Sequence, residues 1–326
     1  MFYIIGTSHF TPRSTIMKIC VAGEGAQGLT HLEALQSIEN VEVQSLAGGI
    51  AADAETFATE WNIAHWSLDF SECIEQNDIE AVILCSPNQV HCQQAIAAME
   101  AGKHVLIEIP MGLNLEESRR IVAAEQRTGK VCMVCHTQRY SNVFREVHRR
   151  ITAGELTPYH IVQQTYFFRR KNENRFGKPR TWVDDLLWHQ ACHMVDMTYW
   201  LLGDLEAQAW GQAGAMHPEL AIPMDISIAM RSQNGALVTA AQSFNHHGSI
   251  WSHYRIIGEE TTLTIEKNKL YDHEGNEIAV EGGGGVVAQD REFFSAIREG
   301  RKALTSCSAC LPVMEALDRI QQTLDT

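Results

Sequence analysis

The 326-residue sequence is short of basic side chains, because 26 Lys and Arg stand against 40 Asp and Glu, a formal net charge of −14. Nucleic acids and anionic membranes are bound by basic faces, so this deficit argues against both as partners. No apolar run is long enough to cross a bilayer. Residues 1–16 also lack the basic segment and long apolar segment of a secretory signal. We therefore expect a cytoplasmic protein that acts on small molecules.

The sequence offers no disulfide framework, because its nine cysteines are odd in number and mostly lie in apolar runs. Two CxxC pairs, Cys132/Cys135 and Cys307/Cys310, could suggest a zinc site. The first pair lies in a predicted strand, where an odd separation directs the two thiols to opposite faces. We therefore expect reduced cysteines and no metal.

The length and the 45% hydrophobic content predict two domains with sizeable cores. In the first part of the chain, short apolar runs alternate with amphipathic stretches. The predicted strands are Lys18–Ala22, Val41–Ala47, Ala81–Cys85, His104–Glu108 and Val131–Cys135, and the helices between them are Gly28–Ile38, Ala51–Trp61, Val90–Ala101 and Asn114–Thr128. This alternation predicts βαβ units and a doubly wound parallel sheet. We assign residues 17–137 to this Rossmann domain and treat residues 1–16 as an extension outside the fold.

Beyond about residue 155 the predicted strands are longer, alternating and richer in aromatic residues. They are His160–Arg169, Ile226–Ser232, Leu237–Phe244, Tyr254–Gly258 and Thr261–Lys267, followed by closing helices at Gln289–Glu299 and Leu311–Leu324. This pattern predicts a large, mostly antiparallel open sheet in an α/β domain over residues 138–326. We expect this domain to bind substrate and its sheet to form a homodimer or a higher homo-oligomer.

A glycine pattern directly follows the first predicted strand. Gly23, Gly25 and Gly28 have the GxGxxG spacing that lets a strand turn tightly into a helix around a dinucleotide pyrophosphate, with Ala26 and Gln27 beginning the helix. Alone this motif is weak evidence, but its position between a strand and a helix favours a nicotinamide dinucleotide as the cofactor.

The sequence gives two opposing signals on the choice between NAD and NADP. A NAD site normally has Asp or Glu about 20 residues after the glycines, and this chain has Ala47-Gly48-Gly49-Ile50 there. The missing acid favours NADP. However, no Lys or Arg stands between Lys18 and Lys103 to hold a 2′-phosphate. We therefore expect NADP to be tolerated rather than tightly bound, with NAD also accepted.

Polar groups follow the next two predicted strands. These are Ser86-Pro87-Asn88 with His91, and Glu108-Ile109-Pro110. The carboxyl ends of strands in an open α/β sheet form its binding crevice, so we expect these residues to shape the nicotinamide pocket. The alternative is that each is only a tight strand-to-helix turn.

A later segment, Trp188–Asp196, carries His189, His193 and Asp196. The i,i+4 spacing places both imidazoles on one helical face, and Asp196 could orient His193. An imidazole titrates near neutral pH, so this set could supply a general base. A lone histidine could equally belong to the core, and the sequence does not decide which of the two is the base.

Together these motifs resemble the Gfo/Idh/MocA family of NAD(P)-dependent dehydrogenases. The similar segments are Gly23–Gly28, Ser86–Asn88 with His91, Ala101–Val105, Glu108-x-Pro110, His193 with Asp196, and Phe293–Arg301. The resemblance implies a Rossmann domain followed by an α/β domain with a large open sheet. It also implies that the nicotinamide, of NADP or NAD, lies between them.

Two departures from the family pattern point to one branch of it. Most members have Glu-Lys-Pro where this chain has Glu108-Ile109-Pro110, so Ile109 replaces the family lysine. Most members also have an aspartate at the position of His189. The branch that shares both changes also resembles Thr165–Asn172 and Leu186–His189. It oxidises the cyclic hemiacetal of a dicarboxylate semialdehyde to a lactone. The alternatives are a sugar, inositol or polyol dehydrogenase, and an NAD(P)H-sensing protein without turnover.

A dicarboxylate substrate needs basic partners in this acidic protein. Arginine side chains match planar carboxylates, and we select Arg139 and Arg169 first. Tyr166, His136 and Arg180 are lesser candidates, and some of these arginines could instead serve the dimer face.

Overall fold

The computed structural model describes residues 16–324 except 77, 174–176, 178, 181 and 204. The predicted extension, residues 1–16, thus lies outside the described residues apart from Ile16. Among the described residues, no helix is long and apolar enough to cross a membrane.

The first sheet has six parallel strands in the order β3-β2-β1-β4-β5-β6. The strands are β1 (Met17–Ala22), β2 (Val41–Ala47), β3 (His65–Ser67), β4 (Ile79–Leu84), β5 (His104–Ile107) and β6 (Cys132–Val134). The helices between them are α1 (Ala26–Leu35), α2 (Ala51–Glu60), α3 (Phe70–Ile74), α4 (His91–Glu100) and α5 (Leu115–Thr128). The predicted doubly wound sheet is confirmed. The short β3 and α3 were missed, because neither is long enough to show a periodic pattern.

The second sheet has eight strands in the order β14-β13-β12-β11-β7-β10-β9-β8. Its strands are β7 (Pro158–Tyr166), β8 (Leu205–Ala213), β9 (Asp225–Ser232), β10 (Leu237–Ser243), β11 (Trp251–Gly258), β12 (Thr262–Glu266), β13 (Lys269–Tyr271) and β14 (Glu277–Ile278). Among the strands that the structure describes in this sheet, only β7 and β10 pair in parallel. The predicted mostly antiparallel sheet is therefore confirmed.

The second sheet has one covered face and one open face. Burial alternates along β9, where Ile228 and Met230 are buried and Arg231 is exposed. On the open face Trp210 and Leu237 are about half exposed. The homo-oligomer that we expect through this face stays a prediction.

The remaining helices are α6 (Asn142–Thr152), α7 (Cys192–Leu202), α8 (Val286–Glu299) and α9 (Cys307–Leu324). Helix α8 returns to the first domain and packs against α1, and its Phe293 and Phe294 are fully buried in the core there. The segment after it pairs with β6, where the Val134 N–H donates to the Thr305 carbonyl. The end of the chain thus completes the cofactor domain.

The two cysteines near β6 point to opposite sides, as the strand geometry predicted. The Cys132 Sγ lies 3.0 Å from the Cys307 Sγ, whereas the Cys135 Sγ lies 4.0 Å from His31 Nε2 in the other core cluster. The two thiols of the first CxxC pair therefore lie in different core clusters.

Candidate active site

The glycine turn has the close contacts and the open space that a dinucleotide requires. Gly23 has φ +114°, and a Cβ there would lie 2.5 Å from the Cys85 carbonyl oxygen. A Cβ at Gly28 would lie 2.1 Å from the Gly23 carbonyl oxygen. By contrast, a Cβ at Gly25, the N-cap of α1, would meet no atom within 4 Å. This opening before a helix N-terminus fits a pyrophosphate, with Ala26 and Gln27 forming the first turn.

A hydrogen-bonded chain joins the glycine turn to the Glu-Ile-Pro turn. The Glu108 Oε1 lies 3.1 Å from both Gln27 Nε2 and His31 Nε2, and His31 Nδ1 lies 2.7 Å from Asp290 Oδ2. Burial opposes ionisation of Glu108, but the hydrogen bond and charge of His31, the Ile109 N–H and the charge of His193 together outweigh it and lower the pKa of the carboxyl. His31 and Asp290 were not among the residues predicted from the sequence. The available signal was a histidine on the buried face of α1.

Asn88 begins a short 3₁₀ turn after β4, where the two domains meet. Its side chain is buried, and its Nδ2 lies 3.4 Å from His189 Nδ1. Its Oδ1 is buried without a hydrogen-bond partner among the described residues. Buried acceptors rarely stay unpaired, so this oxygen suits an incoming donor such as the amide group of a nicotinamide.

His91 contacts the main chain of both neighbouring turns, the one after β4 and the one after β5. It is 1% exposed, and its Nδ1 and Nε2 each lie 2.9 Å from a main-chain carbonyl oxygen, those of Pro110 and Ser86. The Ser86 hydroxyl in turn donates to Gln94. His91 and Ser86 therefore position the pocket that Pro87, Ile109 and Pro110 border, and their polar groups are already used within the protein.

Our prediction that the two candidate histidines lie on one regular α-helix was wrong. Leu186–Ala191 form a π-helical turn that Asp185 caps by accepting the Trp188 N–H at 2.6 Å, and α7 begins only at Cys192. His189 therefore lies in the π turn and His193 in the first turn of α7. Single π turns occur frequently at functional sites.

Their surroundings differ in charge. Burial lowers the pKa of His189 well below its ordinary value, and Arg169 and His193 lower it further. Burial also lowers the pKa of His193, but Glu108 and Asp196 partly oppose this. Both imidazoles are thus neutral at pH 7, and His193 is the better placed to hold a proton. Its Nδ1 has no hydrogen-bond partner among the described residues.

Asp196 is held by Arg139 rather than hydrogen-bonded to His193. Arg139 Nε and Nη2 donate to the two carboxylate oxygens at 2.9 and 2.6 Å, and both residues are buried. This pair uses two of the three guanidinium nitrogens of the buried Arg139, and it limits Asp196 to a charge effect on His193. Neither result was foreseen, because the two residues are 57 positions apart.

His136 lies behind His193 in the same region. Its ring is 6.0 Å from the His193 ring, edge to face, and its Nδ1 is 3.6 Å from Asp196 Oδ2. Burial lowers the pKa of His136 to about 4. The neutral, buried His136 ring therefore lines the site behind His193.

A cationic cluster lies on the other side of His189. Arg169 and Arg180 both donate to Asp184 Oδ2, and His189 Nδ1 lies 3.7 Å from Asp184 Oδ1. Burial, and then the charge of Arg180, lowers the pKa of Arg169 to about 10. Two guanidinium groups share one carboxylate here, so this triad carries one positive charge in excess. Asp184 was not among the predicted site residues, because no local sequence pattern marks it. The helix-capping pattern of this segment belongs to its neighbour Asp185.

Tyr166 occupies a different position at the end of β7. Its ring stacks on Trp251 with centroids 5.3 Å apart and lies 5.9 Å from His246. These contacts join it to the eight-stranded sheet, and no described contact joins it to the two catalytic candidates.

Comparison with known families agrees with this arrangement. Residues 17–136 match the model of an oxidoreductase family with an NAD-binding Rossmann fold, and residues 142–283 match a model of the C-terminal domain of bacterial oxidoreductases. The 4-carboxy-2-hydroxymuconate-6-semialdehyde dehydrogenase of a Sphingobium species (strain SYK-6) is 40% identical over 95% of this chain and 99% of its own length.

More distant relatives share the architecture. A scyllo-inositol 2-dehydrogenase (NAD(+)) of Bacillus subtilis is 33% identical over 43% of this chain and 41% of its own length. A levoglucosan dehydrogenase in complex with NADH and L-sorbose superposes with a TM-score of 0.86 at 19% identity, covering 95% of this chain and 97% of that one. The chain therefore belongs to the Gfo/Idh/MocA family of oxidoreductases and is a nicotinamide-dependent dehydrogenase acting on a CH–OH group.

Proposed function

We propose that the enzyme oxidises the cyclic hemiacetal of 4-carboxy-2-hydroxymuconate-6-semialdehyde to the lactone 2-pyrone-4,6-dicarboxylate, in the catabolism of protocatechuate. The cationic triad of Arg169, Arg180 and Asp184 beside His189 and Asn88 carries this proposal. It offers an excess of positive charge next to the expected nicotinamide pocket of an acidic protein. The name of the Sphingobium relative supports the same substrate.

The loss of the family lysine also favours this substrate over a sugar. The side chain of Ile109 is apolar and buried, so it can neither orient a sugar hydroxyl nor relay its proton. Proton transfer must then be performed by the histidines. We therefore assign the general base to His193, whose basicity the nearby Glu108 and Asp196 support, while Arg169 makes His189 a weaker base.

The reaction balances with these groups. A bound nicotinamide in its oxidised form would supply the acceptor for a hydride from the anomeric carbon. His193 takes the proton of the hemiacetal hydroxyl as the C–H bond breaks, and the C–O bond becomes the lactone carbonyl. Arg169 and Arg180 would hold a carboxylate of the substrate, and the Asn88 Oδ1 would accept from the nicotinamide amide. We expect NADP or NAD to serve.

The substrate can be tested directly with the ring-cleavage semialdehyde made enzymatically from protocatechuate. We expect the purified enzyme to reduce the cofactor, seen by its absorbance, and to form the pyrone dicarboxylate, seen by chromatography. myo-Inositol and glucose serve as neutral comparison substrates. Turnover of these sugars without turnover of the semialdehyde would reverse the assignment, and cofactor binding without any turnover would favour a sensor.

The carboxylate site can be tested through KM. Replacing Arg169 with methionine should raise KM for the semialdehyde about 10- to 100-fold, the value of one or two charge-assisted hydrogen bonds, and change kcat much less. Arg127→Met, at an exposed position near the end of α5, removes the same charge as a control. Equal KM values in the two variants would show that Arg169 does not bind substrate.

A further inference from the structure

Glu24, the residue between the first two glycines of the turn, reaches across to the end of β2. Both of its carboxylate oxygens accept the Gly49 N–H at 3.0 Å, and its Oε1 also accepts the Ile50 N–H at 2.9 Å. Ile50 is the N-cap of α2, so the carboxylate lies at the start of that helix. It occupies main-chain donors that could otherwise bind an anion.

The end of β2 has a known role in cofactor binding by a Rossmann domain. The carboxyl end of β2 is where an Asp or Glu holds the ribose hydroxyls of NAD. Our sequence analysis found no acid at Ala47–Ile50 and so expected NADP to be tolerated. In the folded chain Glu24 brings a carboxylate to the same place from the glycine turn.

We propose that Glu24 is the acid that recognises the adenosine ribose and makes this enzyme prefer NAD to NADP. The inference rests on the proposed use of a nicotinamide dinucleotide. A 2′-phosphate would bring up to two negative charges against Glu24 and would find the Gly49 and Ile50 amides already occupied. Asp53, in the first turn of α2, adds a further acid.

No compensating cation is supplied by this part of the chain. Between Lys18 and Lys103 the sequence contains no Lys or Arg, so no nearby segment of β2 or α2 can offer a basic side chain to the phosphate. The ribose hydroxyls of NAD, in contrast, are donors that a carboxylate accepts. The electrostatics therefore favour the cofactor without the phosphate.

The preference can be measured by calorimetric titration of the substrate-free enzyme with NADH and with NADPH. We expect wild type to bind NADH at least about tenfold more tightly. Glu24→Gln keeps the shape of the side chain and removes its charge, so it should narrow this ratio by about tenfold, mainly through tighter NADPH binding. Glu55→Gln, at an exposed position on α2, removes an equal charge and should leave the ratio unchanged.

The outcomes separate this inference from the proposed function. If wild type prefers NADPH, or if Glu24→Gln changes the ratio no more than Glu55→Gln does, the role of Glu24 is wrong while the dehydrogenase assignment stands. If neither dinucleotide binds, the proposed function fails and this inference fails with it. The wild-type ratio tests the preference even if the Glu24 variant proves unstable.

Discussion

Replacing His193 with alanine should lower kcat about 10²- to 10⁴-fold, with little change in KM for the semialdehyde. The imidazole accepts a proton only as hydride leaves, so its contribution belongs to the transition state. Steady-state kinetics with the semialdehyde would measure this loss. Added imidazole should restore part of the rate in His193→Ala, because the variant leaves space for a diffusible base.

His189→Ala is the matched control for this result. His189 lies one turn earlier with its basicity lowered by burial and by Arg169, so its loss should reduce kcat less than the loss of His193 does. If His189→Ala were the more damaging variant, and the one that imidazole rescued, the two roles would be exchanged. An unchanged kcat in His193→Ala would remove that residue from the mechanism.

The pH profile gives a second readout of the same base. The neutral form of His193 is the active one, and burial lowers its pKa below the ordinary value of 6.5. The rate constant kcat/KM should therefore rise with pH on an acidic limb centred below pH 6.5 and be level across neutral pH. His193→Ala should lose this limb.

Replacing Asp196 with asparagine should destabilise the protein by about 3–5 kcal/mol, because it leaves the Arg139 charge buried without its partner. The side chain is 1% exposed, and both of its oxygens accept hydrogen bonds from the guanidinium. Urea unfolding of the cofactor-free protein would measure the loss as a lower midpoint at unchanged slope.

An exposed ion pair provides the comparison. Lys269 Nζ lies 2.7 Å from Glu277 Oε2, and both side chains are about half exposed, so Glu277→Gln should barely move the midpoint. If Asp196→Asn were equally mild, water would have to replace the lost partner of Arg139, and the buried pair would contribute little to stability.

Most strands of the two sheets were predictable from the sequence because their signals are local, whereas β3, β8, β13 and β14 were not among the predicted strands. The apolar runs of β1, β4 and β5 and the alternation along β9 and β10 depend only on neighbouring residues. The glycine turn was predictable for the same reason. Gly102, Gly129 and Gly154 follow the ends of α4, α5 and α6, and all three have positive φ, which is a local glycine signal of the same kind.

The partners inside the site were not predictable, because they join residues distant in sequence. Arg139 is one example, since a buried arginine near a cleft suggests a substrate ligand until Asp196 is seen to hold it. Asp184 is another, because its neighbour Asp185 shows the recognisable capping pattern. A search for the ribose-binding acid at the end of β2 likewise could not find Glu24 in the glycine turn. In each case residue type indicated the chemistry but not the partner.

The return of α8 to the first domain makes the cofactor half of this enzyme discontinuous in sequence. A fragment ending near residue 137 would expose the surface that Phe293 and Phe294 cover and would leave the edge of β6 without Thr305. Such a fragment would not be an independent module that could be exchanged among enzymes as one continuous segment. Recombination that exchanges the substrate domain must therefore keep the first domain together with α8 and the segment after it. Cofactor use and the last 40 or so residues should then be inherited together.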